Sequence, residues 1–229
     1  MDKGDVIQAV ISKTKARTYL EIGVADGTSF FPLKARRKIA VDPRFAITRA
    51  ARLKWSFKNP FNAMAEFHES TSDLYFERNP AERFDVVFID GLHTYAQSLK
   101  DALNALDRLN DDGVILLHDC LPPHRAAAHP SPLTREQAAE LNIPGWTGEW
   151  CGDVWKTILR LRSGWDNLKV CVLDLDYGLA LVARGKPDSL LDLTESDLDK
   201  MTYEDLAGDK TRLLNLRDMS CLSGFLGSP

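Results

Sequence analysis

The stretch Thr18-Tyr19-Leu20-Glu21-Ile22-Gly23-Val24-Ala25-Asp26-Gly27-Thr28-Ser29 decides the fold class. Thr18 to Ile22 reads as a buried strand, and Gly23 stops it. The same rhythm recurs downstream. Lys38 to Val41 is a second strand stopped by Asp42-Pro43, Met64 to Phe67 a third, Asp85 to Ile89 a fourth and Val114 to Leu117 a fifth. The fourth, Asp-Val-Val-Phe-Ile, suits burial on both faces. Helical periods lie between them at 28–36, 45–57 and 94–109, the last with Leu99, Leu103, Leu106 and Leu109 in register. An opening helix over 5–14 puts Val6, Ile7, Val10 and Ile11 on one face. Strands alternating with helices imply a parallel sheet with right-handed crossovers. Asp112-Gly113 is expected to make the turn into the fifth strand. Leu168 to Leu173 and Leu179 to Ala183 form a last pair around a tight turn at Asp176-Tyr177-Gly178. The prediction is an α/β fold: a doubly wound, mostly parallel seven-stranded sheet, Rossmann-like, with an antiparallel last strand.

The chain has 229 residues, 44% hydrophobic and 27% charged, which fits one α/β domain with a lid or tail. The domain is expected over 1–186, with a lid insertion at about 121–150 rich in proline and carrying Trp146 and Trp150. A helix is expected over Asp153 to Arg162, with Asp153 as its N-cap. Residues 187–229 are expected as a helical tail, regular near 203–216, packing on the domain or on a partner subunit. Net charge is −4, from 29 basic and 33 acidic residues, which gives no global pull toward nucleic acid. The local run Lys34, Arg36, Arg37 and Lys38 reads as a solvated helix end. Cys120, Cys151, Cys171 and Cys221 form no CxxC unit, so free thiols in the cytoplasm are expected. The N-terminus has no signal-peptide pattern, and no stretch is apolar enough for a membrane span.

Ligands of doubly wound sheets bind where strands end and helices begin. The first strand ends at Glu21 and Gly23, and the second ends at Asp42, where an acid can bond both hydroxyls of a ribose. The turn is E-x-G-x-x-x-G and not GxGxxG. A carboxylate there would repel a pyrophosphate, so Glu21 disfavours a dinucleotide and suits a cationic ligand such as an ammonium. The fourth strand ends in Asp90-Gly91-Leu92-His93, and the fifth in His118-Asp119. Two acids and two imidazoles at neighbouring strand ends can hold a hard or borderline divalent cation. An imidazole also suits general-base work near neutral pH.

These residues resemble class I S-adenosylmethionine-dependent methyltransferases, most closely the branch with macrocin-type and MycE-like sugar O-methyltransferases and cephalosporin-hydroxylase-type proteins. The resemblance covers roughly 15–183. It rests on EIGVADGTS (21–29), VDP (41–43), TSD (71–73), FIDGLHTY (88–95), LLHD (116–119) and GDVWK (152–156). It implies that Glu21, Gly23, Gly27 and Ser29 hold the methionine end of S-adenosyl-L-methionine. Asp42 would bind the ribose, Ser70 and Ser72 would border the adenine, and Asp90 would line the same pocket. The family's small residue at the third strand's end is here His68-Glu69-Ser70. By the same resemblance Asp90, His118 and Asp119 hold Mg2+ or Mn2+, and His93 or His118 takes the acceptor's proton. Metal-dependent relatives carry two acids where this chain has His118-Asp119. His118 is thus a ligand, a second base or a rim residue.

The resemblance implies O-methylation of a hydroxyl on a small molecule, a sugar, glycolipid or glycosylated natural product, by a homodimer. Two other possibilities stay open: base-catalysed transfer without metal, and a non-catalytic S-adenosylmethionine-binding module. Trp155 is either core or part of the acceptor site. His124 and His129 are expected as mobile surface residues of the lid, and Asp85 and Asp101 as surface or capping groups.

Overall fold

The computed structural model describes residues 2–130, 137 and 140–227. It divides into two compact units, one of residues 1–91 with 101–116, the other of 92–100 with 117–229.

The first unit opens with α1 (Lys3–Lys13), started by a capping box between Asp2 and Asp5, and it buries Val6, Ile7, Val10 and Ile11 as expected. Its strands are β1 (Thr18–Ile22), β2 (Arg37–Asp42), β3 (Glu66–Glu69), β4 (Phe84–Ile89) and β5 (Leu109–Leu117), in the spatial order β3-β2-β1-β4-β5. β1 pairs in parallel with β2 and β4, and β2 with β3; Leu20 lies opposite both Ile39 and Val87. The central strands are buried along almost their whole length, which fits their mostly apolar sequences, with Glu21 as the buried exception. Asp85 pins the start of β1, accepting from the Arg17 and Thr18 N–H groups at 2.7 and 2.9 Å and from Asn110 at 2.6 Å.

Several local expectations give way here. No helix forms over 28–36, which is turns through 32 and irregular chain from 33 to 36. Pro32 has no N–H to donate. Side chains take the carbonyls a helix would use: Lys38 Nζ donates to Phe30 and Leu33, Asn59 Nδ2 to Phe31 and Leu33, and Asn62 Nδ2 to Phe31. Lys38 is therefore buried and belongs to no solvated helix end, while Arg37 pairs with Glu66 and Glu82. The helix expected over 45–57 is α2 (Arg49–Lys58), started by Thr48. A further helix, α3 (Ser72–Arg78), is capped by Thr71. Asp112-Gly113 makes no turn and lies inside β5. In α4 (Tyr95–Asp107), Leu103 is exposed and Ser98, Asp101, Ala102 and Ala105 are buried. Asp101 is 1% exposed and is no surface group.

The second unit holds α5 (Trp155–Gly164), β6 (Leu168–Leu173), β7 (Leu179–Arg184) and a two-residue strand β8 (Leu216–Arg217), ordered β7-β6-β8. β7 runs antiparallel to β6 and β8 parallel to it. The mostly parallel α/β class with an antiparallel strand is thus as expected, and β8 joins the seven strands anticipated. The β6–β7 turn has Asp176, Tyr177 and Gly178 all at positive φ, 43°, 63° and 87°. Asp153 does not cap the helix that follows it. Its Oδ1 accepts the Tyr95 N–H at 2.6 Å, while α5 begins beyond Val154 without a side-chain cap. Trp155 is core, 2% exposed.

The tail runs through α6 (Glu195–Lys200), α7 (Tyr203–Gly208), α8 (Lys210–Leu214), β8 and α9 (Cys221–Phe225). Arg162 of α5, 3% exposed, ties it down. Its guanidinium donates to the carbonyls of Arg212 and Leu213, where α8 ends, and to the Ser189 hydroxyl at 2.8 Å. Among the described residues no helix is long and apolar enough to cross a membrane, and the four cysteines are free thiols.

Candidate active site

The first unit brings the expected cofactor residues to the ends of β1, β2 and β4. Glu21 is 0% exposed. Its carboxylate accepts from the Tyr19 hydroxyl and, at 2.5 Å, from the Ser29 hydroxyl. Burial pushes the Glu21 carboxyl up to about 7, against the pull of those two donors. Burial likewise pulls Lys38 down to about 7, and the nearby Glu21 opposes that shift. An incoming cation would favour the ionised form of Glu21. Gly23 has φ +83°, and a Cβ there would lie 2.0 Å from the Asp90 carbonyl oxygen. Gly23 is thus demanded by the close approach of β1 to the end of β4. Gly27 closes the turn by donating to the Val24 carbonyl at 2.8 Å.

Asp42 ends β2, 8% exposed. One carboxylate oxygen accepts from the Ala25 N–H at 2.8 Å and the other from the Arg44 N–H at 2.7 Å. Each oxygen keeps a second lone pair, so a diol can still be bonded by a carboxylate whose direction is fixed. Ser70 N–H donates to the Asp42 carbonyl at 3.0 Å, and Ser72 is buried in the first turn of α3. Asp90, just past β4, is ion-paired with Lys3 of α1 at 2.8 Å. The donor set fits an S-adenosylmethionine-like ligand: a buried acid for an ammonium and a fixed carboxylate for ribose hydroxyls.

The second unit brings together His93, His118 and Asp119. Asp119 sits at φ +61°, uncommon for a residue with a side chain. Its Oδ2 lies 3.0 Å from His118 Nδ1 and 3.2 Å from His93 Nε2. His93 Nδ1 lies 2.8 Å from the Trp150 carbonyl oxygen. A carbonyl only accepts, so Nδ1 carries the proton and the neutral ring presents the Nε2 lone pair to the Asp119 carboxylate. Two acceptors at that distance repel unless a proton or a cation joins them. The set therefore suits either an imidazolium or a metal ion.

The surroundings hold His93 in place. The Trp150 ring is 5.2 Å from the imidazole, and a Cβ at Gly152, φ +62°, would fall 1.7 Å from the His93 carbonyl oxygen. Cys151, buried here, has its thiol pushed up by burial and by Asp119. The lid histidines are not loose surface groups. His124 bonds Thr147 at 2.8 Å and pairs with Glu149 at 3.3 Å, and the His129 carbonyl accepts the Trp150 Nε1–H at 3.0 Å. Lid residues 131–136 and 138–139 lie outside the described residues.

Three partners were not read from the sequence. Lys38 carried a signal, a lysine in an otherwise apolar strand. Lys3 and the Trp150 carbonyl carried none, since both meet their partners only through the fold.

A family model described as a methyltransferase domain matches residues 20–120. No curated protein matches the chain. Among solved structures the chain is similar to the O-methyltransferase TomG from Streptomyces achromogenes, involved in tomaymycin synthesis and in complex with SAM. Identity is 14% over 80% of this chain and 79% of that one, with a TM-score of 0.55. An O-methyltransferase from Bacillus cereus in complex with SAH is 15% identical over 80% of both chains, TM-score 0.55. The SAH-bound Podospora anserina methyltransferase PaMTH1 is 16% identical over 80% of this chain and 78% of that one, TM-score 0.56. The chain therefore has the methyltransferase fold, with a methyltransferase domain matched over residues 20–120.

Proposed function

We propose that the protein is an S-adenosylmethionine-dependent O-methyltransferase, assisted by a divalent metal, acting on a hydroxyl of a sugar or glycosylated small molecule. The observation that carries the chemistry is the His93 Nε2 lone pair aimed at the Asp119 carboxylate at 3.2 Å. Within the second unit His93 and Asp119 offer an imidazole and a carboxylate to a divalent cation, and the sequence resemblance adds Asp90 and His118 as ligands for Mg2+ or Mn2+. His118 holds Asp119 through Nδ1 and, with its other nitrogen, stays a candidate ligand or base.

S-adenosylmethionine, when bound, supplies a methyl group on a sulfonium, and a divalent cation supplies charge that acidifies the acceptor hydroxyl. Glu21, Ser29, Asp42, Ser70 and Ser72 would hold the former. The Trp150 carbonyl fixes which nitrogen of His93 is basic, and the Trp150 ring lies beside the imidazole. The saccharide acceptor rests on the sequence resemblance and on the tryptophans of the lid, whose flat rings suit sugar faces. Homodimeric assembly and a cytoplasmic location belong to the same proposal, and sedimentation checks the first.

A second reading follows from the same geometry: without a metal, His93 Nε2 is the general base and Asp119 stabilises the imidazolium. Calorimetry with S-adenosylhomocysteine and Mn2+ tests both. His93→Ala and Asp119→Asn should weaken Mn2+ at least about tenfold and leave S-adenosylhomocysteine binding within about twofold. Absence of heat with S-adenosylhomocysteine ends the methyltransferase proposal. Turnover that survives a chelator but not His93→Ala selects the second reading.

A further inference from the structure

From the first unit we infer a second binding surface: α2 and the turn that follows it dock on an anionic lipid surface. Leu53, Phe57, Phe61 and Met64 are 62%, 80%, 43% and 81% exposed. Four large apolar side chains so close in sequence are unusual on a soluble surface and mark an interaction site. The segment 44–65 also holds five basic residues and no acid, in a chain whose net charge is −4.

The helix arranges these groups by kind. At about 100° per residue, Leu53 and Phe57 fall roughly 40° apart on the outer face, with Arg49 on one side and Lys54 and Lys58 on the other. The inner face is fixed. Trp55 stacks on Phe31 at 5.7 Å with 3° between ring planes, and the Arg52 guanidinium lies 4.0 Å over the Phe67 ring. No residue of α2 is buried, so the helix lies on the surface with its apolar stripe turned outward. The 3₁₀ turn Pro60–Asn62 extends the stripe through Phe61 toward Met64.

An apolar stripe between two basic rails matches the interface of an anionic bilayer, where apolar groups enter the acyl boundary and lysines meet the headgroups. A second copy of the chain fits worse. A self-contact would bring the basic rails of both copies together with no acid in the segment to pair them. A nucleic acid would use the rails but leave the four apolar side chains in water.

Cosedimentation of the full chain with vesicles tests the inference, using equimolar phosphatidylglycerol and phosphatidylcholine against phosphatidylcholine alone. Binding is expected to the mixed vesicles only, and to weaken in high salt. Lys54→Gln/Lys58→Gln should lower the partition constant about 25-fold, about fivefold per lysine. Leu53→Gln/Phe57→Gln should abolish it while the circular dichroism spectrum stays that of the parent. The inference is overturned by equal binding to both vesicles or by no binding to either. It is also overturned if sedimentation shows a dimer that Leu53→Gln/Phe57→Gln converts to monomer.

Discussion

Replacing Gly23 with alanine tests how the β1 end and the β4 end are packed. The new methyl would lie 2.0 Å from the Asp90 carbonyl oxygen, 2.5 Å from its carbonyl carbon and 2.7 Å from Gly91 Cα. All three are backbone atoms, so no side chain can swing away. Overpacking of this kind costs about 1–3 kcal/mol. The left-handed φ of +83° adds roughly 1–2 kcal/mol for an alanine. The stiffer unfolded chain returns about 0.4–1 kcal/mol. The net loss is about 1–4.6 kcal/mol, which lowers the urea midpoint by about 0.5–2.3 M at an m-value near 2 kcal/mol per M. Gly208→Ala is the control: nothing lies within 4 Å of its Cβ position, so stability should hold or rise slightly. Because the clash pushes on the end of β1, which carries Glu21, Gly23→Ala should also weaken S-adenosylhomocysteine in calorimetry. A Gly23→Ala protein within about 0.5 kcal/mol of the parent would refute the packing account.

Two further outcomes follow from buried polar groups. Glu21 titrates near 7 in the folded chain against 4.5 ordinarily, so folding takes up a proton between those values. The stabilisation is present below pH 4.5 and lost as pH rises through about 7. Glu21→Gln should therefore gain stability over the parent by about 3 kcal/mol between roughly pH 5 and pH 8, and parallel denaturation curves without such a trend would rule this out. Asp153→Ala removes the carboxylate that accepts the Tyr95 N–H at 2.6 Å. It should cost about 1 kcal/mol, visible as a lower melting temperature, and an unchanged one would show that the bond contributes nothing.

What could be read from the sequence was whatever local chemistry decides. β1 was legible to the residue because a five-residue stretch rich in strand formers ends at a glycine, and the Asp176-Tyr177-Gly178 turn because Asp and Gly are turn formers on either side of Tyr177. Residues 28–36 misled because their helical period is real while their carbonyls are taken by Lys38, Asn59 and Asn62, which become neighbours only after folding. Asp112-Gly113 carried a strong turn signal that strand pairing overrode in β5. At the site, the meeting of His93, His118 and Asp119 followed from strand ends. The atom that sets the tautomer of His93, the Trp150 carbonyl, is 57 residues away in sequence and left no trace in it.

Arg162 has a consequence for where this chain can be shortened. A guanidinium keeps its charge at any physiological pH, so a buried one cannot escape lost partners by giving up a proton. Its acceptors come from residues 189, 212 and 213. Cutting the chain just ahead of Arg212 would take away two of those acceptors and leave a positive charge short of partners inside α5, so damage would begin some fifty residues upstream of the cut, in the helix that opens with Trp155. The C-terminal segment is thus an internal counterpart of that helix, and deletions there should be designed together with a neutral replacement at 162.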